Sequence, residues 1–167
     1  PDERKRTADG LARRRAAPLL EVPGLAAGRL RPADEAELQA FYEECRDYVE
    51  LVTGAPPAAG EARALLSALP PRKTLADKYV FGFREPGGRL VGVLDLIRDY
   101  PRPREWYLSL LLFGPGSRGK RHGEGVYRWV TGWLAAEGAR AVHLIVTEDN
   151  PGAIRFFPFG EGQIEPS

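Results

Sequence analysis

The stretch from Phe113 to Val126, FGPGSRGKRHGEGV, decides the fold of this chain. It connects the apolar run at residues 106–113 to a segment whose apolar residues recur at helical spacing: Val126, Val130, Trp133 and Leu134. A buried strand that feeds a loop of glycines and cations, which in turn opens a helix, forms an anion site. The N–H groups of the first helical turn are free, and the helix dipole favours negative charge there. The sequence therefore predicts an anion-binding site directly after Phe113.

Outward from this stretch, the pattern predicts a strand, two helices, three strands, a helix, a strand and a last helix. The expected strands are residues 25–30, 78–84, 89–97, 106–113 and 141–146. A first helix is expected from Asp34, with Glu37 at capping-box spacing, to the breaker Gly54. The other expected helices are residues 60–69, the glycine-loop helix that ends at Gly138, and residues 151–157.

This order gives an α+β, or mixed α/β, fold with a central mixed and mainly antiparallel sheet flanked by helices. An antiparallel meander passes into one strand–helix–strand crossover, whose strands should be parallel. Because residues 106–113 are nearly all apolar, we expect that strand to be central and buried on both faces. Ligands of such sheets bind outside the carboxyl end of the first crossover strand, which here is the loop after Phe113.

Composition excludes several classes of protein. The 24 Lys and Arg against 23 Asp and Glu leave a net charge of +1, too little for non-specific nucleic-acid binding. One cysteine and two histidines exclude a disulfide framework and the common zinc sites, so no metal is expected. The sequence shows neither a secretory signal nor an apolar run of membrane-spanning length. We therefore expect a cytoplasmic protein, with residues 1–24 as a polar extension and residues 25–167 as one domain.

Two families fit the glycine loop. Gly114 to Lys120 has the P-loop spacing G-x-x-x-x-G-K of a nucleotide hydrolase, but Arg121 stands where a Ser or Thr should hold magnesium. The segment RGKRHGEG, residues 118–125, resembles motif A of the GNAT N-acetyltransferases, with Arg121 where a glycine is usual. Residues 150–157, NPGAIRFF, are similar to motif B of that family, N-x-x-A-x-x-F-Y.

The resemblance implies a GNAT-like acyl-CoA N-acyltransferase fold, acetyl-CoA as cosubstrate and acetyl transfer to a primary amine of a small molecule or protein. Pyrophosphate would lie on the loop and helix start, at Arg118, Gly119, Lys120, Arg121, Gly123 and Gly125. The central strand would diverge from its parallel neighbour, so that pantetheine pairs with the backbone of Leu111, Leu112 and Phe113. Asn150 and Phe157 would lie against the coenzyme. Since few residues follow Pro158, we also expect a truncated C-terminal strand region whose sheet edge is short or covered by a homodimer partner.

The chemistry requires that the amine lose a proton, because an alkylammonium has a pKa of about 10. Glu105, at the start of the central strand, and Asp95, in the apolar run VLDL, are the two candidate catalytic bases. Phe157 occupies the position of the family's usual tyrosine acid and cannot donate a proton. That departure favours an alternative, a non-catalytic acyl-CoA-binding protein of the same fold.

Overall fold

The structure is a computed structural model that describes residue 22 and residues 24–117, 122–146 and 153–158. Within these ranges the strands form one sheet in chain order from β1 to β6. Every neighbouring pair is antiparallel except β4 and β5, which are parallel. The mixed, mainly antiparallel sheet with one crossover is thus confirmed. The strands are β1 Ala26–Arg29, β2 Lys78–Arg84, β3 Leu90–Arg98, β4 Glu105–Phe113, β5 Ala141–Val146 and β6 Ala153–Pro158.

The helix expected from Asp34 is in fact two helices. They are α1, Glu35–Glu44, and α2, Arg46–Thr53, separated by Cys45. Gly54 ends α2 as expected, because its left-handed φ of 77° suits a residue without a Cβ. The remaining helices are α3, Glu61–Ser67, and α4, His122–Ala136.

The expected capping box of Asp34 and Glu37 is wrong. The Asp34 carboxylate accepts a hydrogen bond from the backbone N–H of Arg31, at 2.8 Å, and closes a short 3-10 turn over Pro32–Asp34. The Glu37 carboxylate instead binds the Arg84 guanidinium on β2 through both of its oxygens. A bidentate Arg–carboxylate pair across two elements has therefore replaced a local cap.

Apolar side chains cover both faces of the sheet. On one face α4 contributes Val126, Trp129, Val130, Trp133 and Leu134 to a core that includes Tyr79, Phe81 and Phe83 of β2. On the other face α1–α3 contribute Leu38, Phe41, Tyr42, Val49 and Ala62. Cys45 belongs to this second core and is fully buried, and Trp129 and Trp133 belong to the first, as expected from their helical spacing.

The expectation that residues 106–113 are buried on both faces is wrong for the second half of β4. Trp106, Leu108 and Leu112 are buried, but Leu110 and Leu111 are only half-buried. The cause is the short ladder with β5, which starts at Glu105↔Ala141 and ends at Leu108↔Leu144. Beyond Leu108, β5 pairs with β6 alone among the described strands, so one side of β4 loses its neighbour.

The helix expected at residues 151–157 is also wrong. Ala153–Pro158 form β6, which pairs antiparallel with β5 from Val146↔Ala153 to Ala141↔Pro158. The segment AIRFFP contains isoleucine and two phenylalanines, which are enriched in strands, and the outer edge of β5 offers unpaired backbone groups. The segment that resembles motif B therefore forms a strand paired with β5, and not the expected helix.

Candidate active site

The parting of β4 from β5 defines the candidate site. The two strands pair over four residues, and β4 then continues past Leu108 to Phe113 with no described strand on that side. On its other side β4 stays paired with β3 as far as Gly92↔Phe113. The result is a wedge-shaped opening between parallel strands, at the carboxyl ends where such sheets bind ligands.

The end of β4 is held from two directions. Gly114 donates its N–H to the carbonyl of Val91 at 2.9 Å, which extends the β3 pairing by one residue. On the helical face, Cys45 Sγ lies 4.0 Å from the carbonyl oxygen of Phe113. The break between α1 and α2 therefore packs against the last residue of β4.

Helix α4 begins beside this strand end. Its first residue, His122, has its ring 5.7 Å from the Phe113 ring, measured between centroids. Gly123 and Gly125 lie in the first turn, and a Cβ built at Gly123 would meet no atom within 4 Å. The first turn of α4, whose N–H groups have no partner within the helix, and the positive end of the helix dipole thus lie at the mouth of the wedge.

Several residues expected at the coenzyme lie outside the described residues, namely Arg118, Gly119, Lys120, Arg121 and Asn150. Leu111, Leu112 and Phe113 line the diverging part of β4. Phe157 lies on β6 with Val142 as its register partner, and Val142 pairs with Trp106 on the closed side of the wedge. The sheet therefore brings Leu111–Phe113 together with the α4 start, but not with Phe157.

Glu105 lies at the far end of β4 from the wedge. Phe113 is eight positions further along the strand, a span of roughly 26 Å. Its carboxylate is buried, lies 2.8 Å from His143 Nε2 on β5 and 3.6 Å from an Arg140 nitrogen. These contacts tie Glu105 to β5 and to the residue before that strand, at the end of β4 away from Leu111–Phe113.

Asp95 lies on β3, one strand away from the wedge and level with its opening. Its register partner is Leu110 on β4, two residues past the last pairing with β5. Lys78 Nζ contacts both carboxylate oxygens, at 3.0 and 2.9 Å, and Ser109 Oγ lies 2.5 Å from Oδ2. Burial raises the pKa of the Asp95 carboxyl above its ordinary value, and Lys78 and Ser109 offset part of that rise.

Sequence reasoning missed Ser109 and Lys78. Ser109 is the one hydroxyl in the run Leu108 to Leu112, and Lys78 opens a strand that then reads YVFGF before it ends at Arg84. A lone polar residue in a buried strand must find a partner, and that rule pairs each of them with Asp95 in the next strand. The sequence therefore did contain a signal for this cluster: Lys78, Asp95 and Ser109 are polar residues on three consecutive, mainly apolar strands.

The acidic residues near α2 have partners of their own. Glu44 pairs with Arg89 at 3.0 Å, Glu50 pairs with Arg46 at 2.9 Å, and Glu43 accepts a hydrogen bond from Gln39 at 3.3 Å. Among the described residues, no three His, Cys, Asp or Glu side chains are grouped closely enough to hold a metal ion. None of the described helices is both long and apolar enough to cross a membrane.

A sheet whose parallel central strands diverge at the start of a glycine-led helix is the architecture of acyl-CoA N-acyltransferases. The sequence profile of the Acetyltransferase (GNAT) family matches residues 38–160, about three-quarters of the 167 residues. The chain therefore belongs to the GNAT acetyltransferase family, whose acetyl donor is acetyl-CoA. No curated protein sequence gives a significant match.

Solved structures share the fold at low sequence identity. An acetyltransferase from Thermus thermophilus matches with a TM-score of 0.60 and 23% identity, over 78% of this chain and 81% of that chain. A GNAT acetyltransferase from Brucella melitensis, solved in complex with acetyl-CoA, matches with a TM-score of 0.53 and 17% identity, over 86% and 93%. Spermidine N-acetyltransferase from Vibrio cholerae, solved with CoA and spermine, matches with a TM-score of 0.55 and 13% identity, over 73% and 70%.

Proposed function

We propose that this chain transfers an acetyl group from acetyl-CoA to a primary amine of a small molecule or a protein, by direct attack in a ternary complex. The observation that carries the proposal is the parting of β4 from β5 after Leu108, directly before the start of α4. The edge of β4 that no described strand pairs with can hydrogen-bond to the extended pantetheine arm of the coenzyme, and the N-terminus of α4 can bind its phosphates.

The pyrophosphate of the coenzyme would bind at the α4 start. Gly123 supports this because its open surroundings leave room for close approach of a ligand to the backbone. Backbone N–H groups of the first turn would donate to phosphate oxygens, and arginine and lysine side chains would add charge-assisted hydrogen bonds. The residues we propose for this contact are Arg118, Gly119, Lys120, Arg121, Gly123 and Gly125.

The pantetheine arm would lie along Leu111, Leu112 and Phe113. The half-burial of Leu111 supports this, because it leaves apolar surface beside an edge that the described part of β5 does not pair with. Asn150 and Phe157 remain proposed coenzyme contacts from the family resemblance. We assign the base to Asp95 in preference to Glu105, because Asp95 pairs with β4 at the level where the wedge opens and Glu105 lies at the closed end of β4.

The reaction joins the amine nitrogen to the thioester carbonyl carbon and breaks the carbon–sulfur bond. The attacking amine must be neutral, and developing negative charge on the carbonyl oxygen would be stabilised by a backbone N–H of the open β4 edge. A thiolate is a good leaving group because its conjugate thiol has a pKa of only about 8.5. Phe157 lacks a hydroxyl, so the proton for the thiolate must come from another group or from water.

The alternative function is acyl-CoA binding without turnover. Two observations favour it: a phenylalanine at the position of the usual acid, and an Asp95 carboxylate whose oxygens already have protein partners. Both functions require coenzyme binding, and only the enzyme releases free thiol when an amine is added.

Calorimetric titration of the protein with acetyl-CoA, beside CoA and ATP–magnesium, tests the binding site. We expect micromolar affinity for acetyl-CoA, lost on Gly123→Asp because the new carboxylate repels phosphate at the helix start. Gly132→Asp is the matched control, since Gly132 is exposed on the same helix and has an equally open Cβ position. Equal loss in both variants, or binding of ATP–magnesium alone, would refute the site.

A thiol-release assay with spermidine, ethanolamine and a lysine-containing peptide then separates the enzyme from the binding protein. Release with at least one amine supports transfer, whereas binding without release supports the alternative. The homodimer expected at the sheet edge stays a prediction, and sedimentation equilibrium of the full chain tests it.

A further inference from the structure

Ser109 occupies a bulge at the point where the wedge opens. The β3–β4 register passes from Asp95↔Leu110 to Leu96↔Leu108, so Ser109 is the extra residue of β4 between two aligned pairs. Leu108 is also the last residue of β4 that pairs with β5. A bulge re-aims its side chain out of the regular alternation, which here turns the Ser109 hydroxyl towards Asp95.

Asp95 cannot meet an amine directly. Its side chain is only 5% exposed, and Lys78 Nζ occupies both carboxylate oxygens. Lys78 is itself buried and also donates to the carbonyl of Ala68 at 2.9 Å, so it is fixed in place. Ser109 is half-buried and is thus the least buried of the three residues in this chain of hydrogen bonds.

The wedge geometry puts the reacting end of the coenzyme near Ser109. If the phosphates bind at the start of α4, the arm runs from Phe113 back along β4 towards the junction with β5. From Phe113 to Ser109 is four residues, or roughly 13 Å of strand. The thioester would therefore lie at the apex of the wedge, where Ser109 is the first residue past the β5 ladder.

We propose that Ser109 is a catalytic residue that takes a proton from the acceptor amine while passing its own hydroxyl proton to Asp95. The inference rests on the proposed acetyl transfer. Asp95 acts through Ser109 and is a positioning residue as well as the final proton acceptor. Lys78 holds the carboxylate in the orientation that receives the Ser109 hydroxyl.

The step conserves atoms and charge. An alkylammonium gives one proton to Ser109 Oγ, and the Ser109 proton moves to Asp95 Oδ2. The neutral nitrogen then attacks the thioester carbon, the carbon–sulfur bond breaks, and the sulfur leaves with the bonding pair. The second nitrogen proton goes to the thiolate, and Asp95 returns its proton to solvent through Ser109, so the products are the amide, free CoA thiol and one proton.

The surroundings of Asp95 suit a proton acceptor. Burial raises the pKa of its carboxyl, which brings that pKa closer to the pKa of the amine. The charged and titratable groups that face it are Lys78 from β2, Tyr42 from α1 and Tyr107 from β4. Burial also raises the pKa of both tyrosines, so they stay neutral and Lys78 is the one neighbouring charge among the described residues.

Ser109→Ala, Ser109→Thr and Asp95→Asn test the relay, with Ser67→Ala as the matched control. Ser67 is exposed at the end of α3 and donates to the Arg63 carbonyl one turn earlier. The measurements are the acetyl-CoA Kd by calorimetry, and kcat and kcat/KM against pH with the fastest amine of the panel. We expect kcat to fall about 10²–10⁴-fold in S109A at an unchanged Kd, the usual worth of general acid–base help.

The pH profile distinguishes a relay from a merely structural role. In S109A and D95N the acidic limb of kcat/KM should move up towards about pH 10, the ordinary pKa of an alkylamine, because water must then remove the proton. S109T, which keeps a hydroxyl, should restore most of kcat and the wild-type limb. The S67A control should match the wild type in every measurement.

Three results would overturn the relay. S109A could keep its kcat and its acidic limb, or it could lose acetyl-CoA binding together with kcat, which would make Ser109 a structural residue. Both leave the proposed acetyl transfer intact. A wild-type protein that binds no acetyl-CoA would overturn the proposed function and the relay with it. Melting curves of S109A, S109T and D95N test whether each variant is folded at the assay temperature.

Discussion

The Lys78 ammonium contacts both carboxylate oxygens of Asp95, at 3.0 and 2.9 Å, inside the sheet face that α1–α3 cover. Both side chains are at most 5% exposed. Transfer of two charges out of water is costly, and close contact offsets that cost only while both partners are present. The pair therefore constrains β2 against β3, because loss of either partner leaves a buried charge.

Lys78→Met should lower the free energy of unfolding by about 3–5 kcal/mol, since the Asp95 carboxylate would stay buried with the Ser109 hydroxyl beside it and no opposite charge in contact. The double variant Lys78→Met, Asp95→Leu should recover most of that loss, because no charge then remains. Urea denaturation at pH 7 measures both. A single variant as stable as the wild type would show that water reaches Asp95 in solution.

The ion pair of Glu37 with Arg84 makes the stability of the fold depend on pH in the acidic range. The Arg84 guanidinium donates to both carboxylate oxygens of Glu37 and holds the pKa of Glu37 below its ordinary value. A depressed folded-state pKa stabilises the fold above the unfolded pKa of about 4.3, and that stabilisation is lost as the pH falls further. Because both side chains are partly exposed, the contribution at pH 7 should be about 1 kcal/mol or less.

Glu37→Gln should therefore lose this stability at pH 7, and the difference from the wild type should shrink as the pH falls below the unfolded pKa and vanish once it is below the depressed pKa of the folded carboxylate. A double-mutant cycle with Arg84→Gln isolates the pair from the other hydrogen bond of Arg84, to the Gly88 carbonyl. A deficit that stays constant down to pH 3 would assign the effect to packing instead of charge.

The sequence predicted those parts of the fold that local pattern controls. The β2 strand lies at residues 78–84 and β5 at 141–146, as expected, because each is an apolar run between clear breakers. The break at Cys45 was missed, since helical apolar spacing continues across it; the Cys45 thiol lies 4.0 Å from the Phe113 carbonyl oxygen, a long-range contact that no local pattern specifies. The strand at the C-terminal end was missed because the free edge of β5 overrides a local motif.

The candidate site shows the same division. Glycines before an amphipathic helix predict the α4 start, and the apolar run predicts β4, from the sequence alone. The bulge at Ser109 depends on how β3 and β4 align, which no single strand specifies. For that reason the sequence offered both Asp95 and Glu105 as candidates, whereas their register positions separate them by more than half the length of β4.

Glu105→Gln separates a structural carboxylate from a catalytic one. We expect a loss of about 1–3 kcal/mol in stability, because the buried charge-assisted bond to His143 is weakened, with kcat within a few-fold of the wild type. Thermal melting and the thiol-release assay measure the two effects on one preparation. A 100-fold loss of kcat at unchanged stability would instead indicate that Glu105 is the catalytic base.

Gly92 lies opposite Phe113, the last residue of β4, which is the strand we propose for the pantetheine arm. It is the register partner of Phe113, and a Cβ at Gly92 would lie 2.5 Å from the Phe113 ring. Gly92→Ala must therefore displace a ring that also contacts Phe83 and His122, at centroid distances of 6.0 and 5.7 Å. Overpacking of this kind costs about 1–3 kcal/mol of stability.

Because Phe113 ends the proposed pantetheine edge and its ring lies against the α4 start, Gly92→Ala should also weaken acetyl-CoA binding. Calorimetry should show at least a ten-fold rise in Kd while the variant remains folded at the titration temperature. Gly28→Ala is the matched control, since Gly28 lies on edge strand β1 with no atom within 4 Å of its Cβ position. Unchanged affinity in Gly92→Ala, with the expected loss of stability, would place the coenzyme away from Phe113.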